Sequence, residues 1–287
     1  MEITVAKNAG FCPGVRRAVE QTLSFVGTEN TYTLGELIHN PPFLKKLADM
    51  GIRSIEFSEV ESILETIEPK AMTLILRTHG VTKECEASLR QIAKKTGRLN
   101  IVDLTCPFVK KIHRIAEENT SDETVFLHFC HKDHPEALGN MSYAKGEKYA
   151  ISSIEDLKML NLSGKIPILC SQTTENLVEF KKIKNFLKKD YTNAIFFDTI
   201  CSVTENRQTE AIELAKASDG MIVIGGRNSS NTKKLYDLCK AHCKETICIE
   251  SADEIPKSFP EGKNKIAITA GASTPGELIT EVRKQWK

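Results

Sequence analysis

Three cysteines in this 287-residue chain are almost equally spaced: Cys106 follows Cys12 by 94 residues, and Cys201 follows Cys106 by 95. Each ends a strand-like run and opens a helix-like one, in Gly10-Phe11-Cys12-Pro13-Gly14-Val15, Leu104-Thr105-Cys106-Pro107-Phe108-Val109 and Thr199-Ile200-Cys201-Ser202-Val203-Thr204. Proline after Cys12 and Cys106 suits a first helical position. A thiol at a helix N-terminus faces orphan N–H groups and the positive dipole end, which favours thiolate. Three thiolates brought together would repel one another unless a cation lay between them. Soft thiolates select iron–sulfur clusters, zinc or cuprous copper. Structural zinc prefers four ligands close in sequence, typically in C-x-x-C pairs, and the chain has no such pair. Three thiolates also suit a 4Fe–4S cluster that keeps one iron without a protein ligand. Spacing favours the cluster and leaves a catalytic zinc with an open position as the alternative. The other six cysteines are out of phase. Cys170 lies in an apolar strand and reads as core, while Cys239 and Cys243, four apart on the helix-like Lys233–Cys243, suit packing better than metal.

Two polar blocks keep the same phase. His39 lies 27 residues after Cys12, His134 lies 28 after Cys106, and the Asn228-Ser229-Ser230-Asn231 loop lies 27 to 30 after Cys201. In the second block His79 lies 67 after Cys12, Gln172-Thr173-Thr174 lies 66 to 68 after Cys106, and Ala272-Ser273-Thr274 lies 71 to 73 after Cys201. Glycines precede the hydroxyl loops of the third repeat (Gly225-Gly226 and Gly271), a pattern that resembles anion cradles with N–H and O–H donors aimed at phosphate oxygens. Histidines and hydroxyls around a metal centre point to a small phosphorylated or diphosphorylated ligand. Glu136, two residues after His134, is the candidate proton donor; as an acid in a first helical turn it would also serve the dipole. No P-loop and no G-x-G-x-x-G is present, so nucleotides are not indicated.

The elements that must position these groups alternate through the chain. Strand-type runs at Thr73–Leu76, Asn100–Val102, Thr124–Phe129, Ile166–Leu169, Ala194–Phe197, Met221–Ile224 and Lys265–Thr269 are separated by amphipathic segments such as Gly14–Phe25, Pro107–Glu118, Leu177–Lys188 and Asn206–Ala217. Such alternation predicts an α/β protein with mostly parallel sheets, whose ligand groups sit at the carboxyl ends of strands. The period predicts three similar α/β domains, 12–100, 101–193 and 194–287, in a pseudo-threefold arrangement around a common centre, with residues 1–11 placed to add a strand to the third. Basic and acidic residues nearly cancel, 39 against 38, which argues against a nucleic-acid or membrane-surface binder. No signal peptide and no apolar run of ~18–20 residues is visible, so the expected location is the cytoplasm, where nine cysteines should be mostly reduced.

Taken together the motifs resemble the 4-hydroxy-3-methylbut-2-enyl diphosphate reductases, the last enzymes of the non-mevalonate isoprenoid route. The resemblance spans nearly the whole chain through Gly10-Phe11-Cys12-Pro13-Gly14-Val15, Ile38-His39-Asn40, Thr78-His79-Gly80-Val81, Thr105-Cys106-Pro107, His134-Pro135-Glu136, Ser171-Gln172-Thr173-Thr174, Asn206-Arg207-Gln208, Asn228-Ser229-Ser230-Asn231 and Thr269-Ala270-Gly271-Ala272-Ser273. It implies a trefoil of three domains around a 4Fe–4S cluster held by Cys12, Cys106 and Cys201, its fourth iron open to the substrate hydroxyl. It implies a diphosphate held by His39, His79, His134, Thr173, Ser229, Ser230, Asn231 and Ser273, with Glu136, Thr173 and His134 as the catalytic set. The implied reaction is reductive dehydroxylation to isopentenyl and dimethylallyl diphosphate, with two single electrons from ferredoxin or flavodoxin. Pro13 and Glu205 depart from other forms of the family, and neither removes a ligand or a donor. Two rival functions use the same residues differently: a zinc-dependent lyase or hydrolase of a small phosphate ester, and a cluster-bearing redox sensor.

Overall fold

In the computed structural model, which describes residues 1–286, the alternating runs become strands and helices joined by short loops. β1 (Glu2–Val5) leads through a turn to α1 (Pro13–Leu23). Then follow β2 (Thr31–Leu34), α2 (Pro41–Asp49), β3 (Arg53–Ile55), α3 (Val60–Thr66), β4 (Met72–Leu76), α4 (Lys83–Thr96) and β5 (Leu99–Asp103). The middle of the chain holds α5 (Pro107–Asn119), β6 (Thr124–Phe129), α6 (Pro135–Ser142), β7 (Glu147–Ile151), α7 (Ile154–Lys158), β8 (Ile166–Ser171), α8 (Leu177–Asp190) and β9 (Ile195–Phe196). α9 (Ser202–Lys216), β10 (Gly220–Ile224), α10 (Ser230–His242), β11 (Thr246–Ile249), β12 (Lys265–Ala270) and α11 (Gly276–Lys284) complete it.

The twelve strands of the described residues make three four-stranded sheets in which every pairing is parallel. Their orders are β3-β2-β4-β5, β7-β6-β8-β9 and β11-β10-β12-β1, one pattern three times. The last sheet is completed by the N-terminal strand, Glu2 to Val5 pairing with Lys265 to Ile268. In each sheet the strand that leads to a cysteine is an edge strand beside a central one: β5 beside β4, β9 beside β8 and β1 beside β12. Sheet membership is therefore offset by one strand from limits counted by cysteine phase. Residues 99–103 close the first sheet across the 100/101 limit, and 195–196 close the second although they fall after the 193/194 limit.

The chain divides into two compact units, one of residues 1–17, 38–45 and 202–287, the other of 18–37 and 46–201. Alternation builds the cores. In the second unit Val125, Leu127, Phe129 and Leu169 face α8 residues such as Phe180, while Phe126, Ile168 and Cys170 face Ile112 and Ile115 of α5. All six residues of β6 are buried, as expected of a central parallel strand covered on both faces. The first unit repeats this, with Ile222, Ile224, Ile266 and Ile268 on one side and Met221, Val223, Ala267, Cys239 and Cys243 on the other. Cys170, Cys239 and Cys243 are thus core residues. Among the described residues no helix is long and apolar enough to cross a membrane.

Candidate active site

The three cysteines are held by one repeated bond. The Cys106 amide donates to Thr78 O at 3.0 Å and the Cys201 amide to Thr173 O at 3.0 Å, both in the second unit. The Cys12 amide donates to Ala272 O at 3.3 Å in the first. Each accepting carbonyl lies in the polar block just beyond a central strand, β4, β8 or β12, so cysteine and polar block are fixed together. Each cysteine directly precedes a helix, α5, α9 or α1, and Val15 N–H of α1 donates to Cys12 Sγ at 3.4 Å. None of the nine cysteines forms a disulfide, and the three in-phase thiols are half-buried. The remaining thiols offer no fourth ligand of comparable character. Cys130, Cys170, Cys239 and Cys243 are buried, and burial pushes the half-buried Cys85 and Cys248 upward. Cys106 and Cys201 of the second unit and Cys12 of the first are thus placed alike, each a soft donor beside a helix N-terminus.

In the second unit, the blocks after β4, β6 and β8 bring His79, His134, Glu136 and Thr173 into reach of one another. The rings of His79 and His134 meet edge to face, centroids 5.4 Å apart and planes at 84°. His134 is the N-cap of α6, and its Nδ1 accepts the Glu136 amide at 3.1 Å. With Nδ1 an acceptor, the neutral ring carries its proton on Nε2. Glu136 is 2% exposed, and its carboxylate is gripped at both oxygens by one residue. Thr173 N–H donates to Oε1 at 2.7 Å and Thr173 Oγ–H to Oε2 at 2.8 Å.

In the first unit, Ser229 is the N-cap of α10, its hydroxyl accepting the Thr232 amide, and Ser230 and Asn231 form the first turn. Asn231 Nδ2 is buried and has no hydrogen-bond partner, an orphan amide donor at a helix N-terminus. Close packing sets this loop: a Cβ at Gly225 or Gly271 would collide with Thr232 Oγ1, and one at Gly226 would stand 3.1 Å from His39 O. Ser273 and the His39 segment are latched together. Ser273 Oγ–H donates to His39 O at 3.1 Å, and Asn40 Nδ2 donates to Ser273 O at 2.9 Å. The Ser273 proton is therefore committed to the backbone here, and the hydroxyl must rotate to donate to an anion.

Residues 3–287 match the model of the LytB protein family. The chain belongs to the LytB family. Curated relatives named 4-hydroxy-3-methylbut-2-enyl diphosphate reductase include that of Caldanaerobacter subterraneus subsp. tengcongensis, 40% identical across 100% of this chain and 97% of the relative. That of Campylobacter hominis is also 40% identical, across 99% and 98%. A solved structure of the E-1-hydroxy-2-methyl-but-2-enyl-4-diphosphate reductase from Plasmodium falciparum superposes with a TM-score of 0.86 at 27% identity, over 99% of this chain and 86% of that one. A second, described as (E)-4-hydroxy-3-methyl-but-2-enyl diphosphate reductase, the terminal enzyme of the non-mevalonate pathway, gives 0.68 at 33% identity, over 100% and 99%. This LytB-family chain is an oxidoreductase, a reductase of that pathway.

Two clamps of the LytB-family chain had no role in the reading of its sequence. Buried Arg207 donates from Nη2 to Gly10 O at 2.7 Å. One turn on, Glu210 accepts the Lys7 amide at 2.6 Å, the Asn8 amide at 2.9 Å and Asn8 Nδ2 at 2.8 Å. Together they hold the turn that leads to Cys12. Arg207 lies in the Asn206-Arg207-Gln208 motif, which signalled its presence but not its target. Nothing in the sequence marked Glu210, since its partners lie about 200 residues away.

Proposed function

We propose that the chain catalyses reductive dehydroxylation of 4-hydroxy-3-methylbut-2-enyl diphosphate to isopentenyl and dimethylallyl diphosphate, with Cys12, Cys106 and Cys201 as the protein ligands of one 4Fe–4S cluster whose fourth iron is open. The observation that carries this is the repeated amide-to-carbonyl bond. It ties each half-buried cysteine to a strand-end block that also supplies the candidate ligand residues. Full-length relatives at 40% identity carry the same activity in their names. When bound, the cluster supplies the single electrons and the Lewis acidity for a poor leaving group that no side chain provides.

The chain's own residues account for binding and proton handling. His134 offers Nε2–H, beside it stands His79, and with His39 these rings supply donors to diphosphate oxygens. Ser229, Ser230 and Asn231 add hydroxyl, amide and backbone donors at the start of α10, where the dipole favours an anion. Ser273, released from His39 O, adds another, and Thr173 contributes its hydroxyl on the Glu136 side. Glu136 relays the proton. Its Oε2 accepts Thr173 Oγ–H; once protonated there, the carboxyl donates to Oγ1, and the threonine hydroxyl, turned outward, hands on its own proton. Burial of Glu136 keeps that proton away from bulk water. A one-electron carrier of the ferredoxin or flavodoxin type is the reductant.

The test is anaerobic purification, assay of iron, acid-labile sulfide and zinc, and turnover of the diphosphate with a one-electron donor. Iron and sulfide together with both isoprenoid diphosphates support the proposal. Zinc without sulfide sinks it in favour of a lyase or hydrolase, and a cluster without turnover sinks it in favour of a sensor.

A further inference from the structure

His113 is a buried imidazole to which the chemistry above assigns nothing. It lies on α5, the helix opened by Cys106, and is 7% exposed. One face stacks on Tyr143, the residue that ends α6, with centroids 4.1 Å apart and planes at 13°. Its edge points at two glycines. A Cβ on Gly80 would stand 3.0 Å from His113 Cε1, and one on Gly139 would stand 3.5 Å from Nε2. Gly80 follows His79, and Gly139 lies on α6, whose N-cap is His134. At that point the two elements also touch, for a Cβ on Gly139 would stand 3.3 Å from Val81 O. Tyr143 is anchored in turn by its hydroxyl, which donates to Glu86 Oε2 at 2.6 Å.

The ring is not there for its polar atoms. Nε2 is buried without a hydrogen-bond partner, and burial pushes His113 down to about 4, so it is neutral at physiological pH. A five-membered ring is narrower in its plane than a phenyl and flatter than a leucine, and it fills the space between two glycines and a tyrosine face. We propose that His113 is a positioning residue for the anion-binding pair: wedged between Gly80 and Gly139, it sets how far apart the His79 loop and the His134 helix stand. This rests on the reading of His79 and His134 as diphosphate ligands.

The experiment uses the anaerobically prepared holoenzyme. In His113→Phe, which keeps the stack but enlarges the wedge, and His113→Ala, which removes it, KM for the diphosphate and Ki for inorganic diphosphate should rise tenfold or more, while kcat stays within about threefold. Tyr143→Phe, which loses only the Glu86 bond, should leave KM within about twofold. Unchanged KM and Ki in both His113 variants would overturn the inference, as would an equal rise in Tyr143→Phe. If the wild type neither turns over the substrate nor is inhibited by inorganic diphosphate, the functional reading has failed instead. A crystal structure of His113→Phe then decides the inference. A His79–His134 separation changed by about 0.5 Å or more supports it, and an unchanged 5.4 Å overturns it.

Discussion

Glu136→Gln separates proton delivery from architecture, because the geometry allows the amide to fit where the carboxyl sat. Glutamine retains an oxygen to accept Thr173 N–H, now 2.7 Å from Oε1, and its NH₂ can donate to Thr173 Oγ1, now 2.8 Å from Oε2. The threonine hydroxyl simply turns round. Both contacts survive, each without its charge assistance, a loss of about 1 kcal/mol per bond that is partly offset by no longer burying a carboxylate. Net destabilisation should be about 1 kcal/mol or less, a melting shift of no more than about 4 °C. Glu136→Ala, by contrast, leaves Thr173 N–H without its acceptor in a buried site and should cost about 1–3 kcal/mol. If Glu136 delivers the proton, Glu136→Gln removes the transferable proton and kcat should fall about 10²–10⁴-fold, with KM little changed. If it only holds Thr173 in place, the loss is limited to about 1 kcal/mol, roughly fivefold. The assay is anaerobic turnover with a chemical one-electron donor, both products quantified by mass spectrometry, beside a melting curve for each variant. A fall of fivefold or less would refute the relay.

Three further expectations follow from the same contacts. Cys106→Ser should lose most bound iron and acid-labile sulfide yet melt close to cluster-free wild type, because the backbone bond to Thr78 O remains; full iron content measured on the purified variant would exclude Cys106 as a ligand. Burial pushes His113 down to about 4 and His128 to about 3, whereas in the unfolded chain both take up protons near 6.5, so stability should be complete above that pH and fall as pH drops towards 4. Urea midpoints at pH 7 and 4.5 test this, with His113→Phe losing less than wild type over the interval. Glu210→Ala frees the amides of Lys7 and Asn8, whose hydrogen exchange should accelerate at least tenfold while the amides of β10 stay protected.

Much of the architecture can be read from local pattern. The run Thr124–Phe129 is mostly apolar, with Thr124 and His128 the exceptions, because both faces of a central parallel strand are covered, and it emerges as β6 with those bounds. Short edge or half-polar strands such as Arg53–Ile55 and Glu147–Ile151 lacked that signal, since one side of each stays wet and their register comes from the neighbour. α9 begins at Ser202, four residues before the amphipathic pattern becomes visible, because its first turn is defined by the Cys201 junction and carries no apolar stripe. Positions of the chemical groups were legible from phase. Their partners were not: Glu136 and Thr173 are 37 residues apart, and Asn40 and Ser273 are 233 apart.

The sequence by itself determined the donor types, their period and the motifs by which the chain belongs with its relatives, because these depend on residue identity and count along the chain. Tertiary structure alone decided that the edge strand before each cysteine pairs with the central strand whose end carries the polar block. It also decided that both Glu136 oxygens go to one threonine and that a buried imidazole separates two histidine-bearing elements. Those facts rest on parallel pairing and close packing between segments far apart in the chain, contacts that no local propensity encodes.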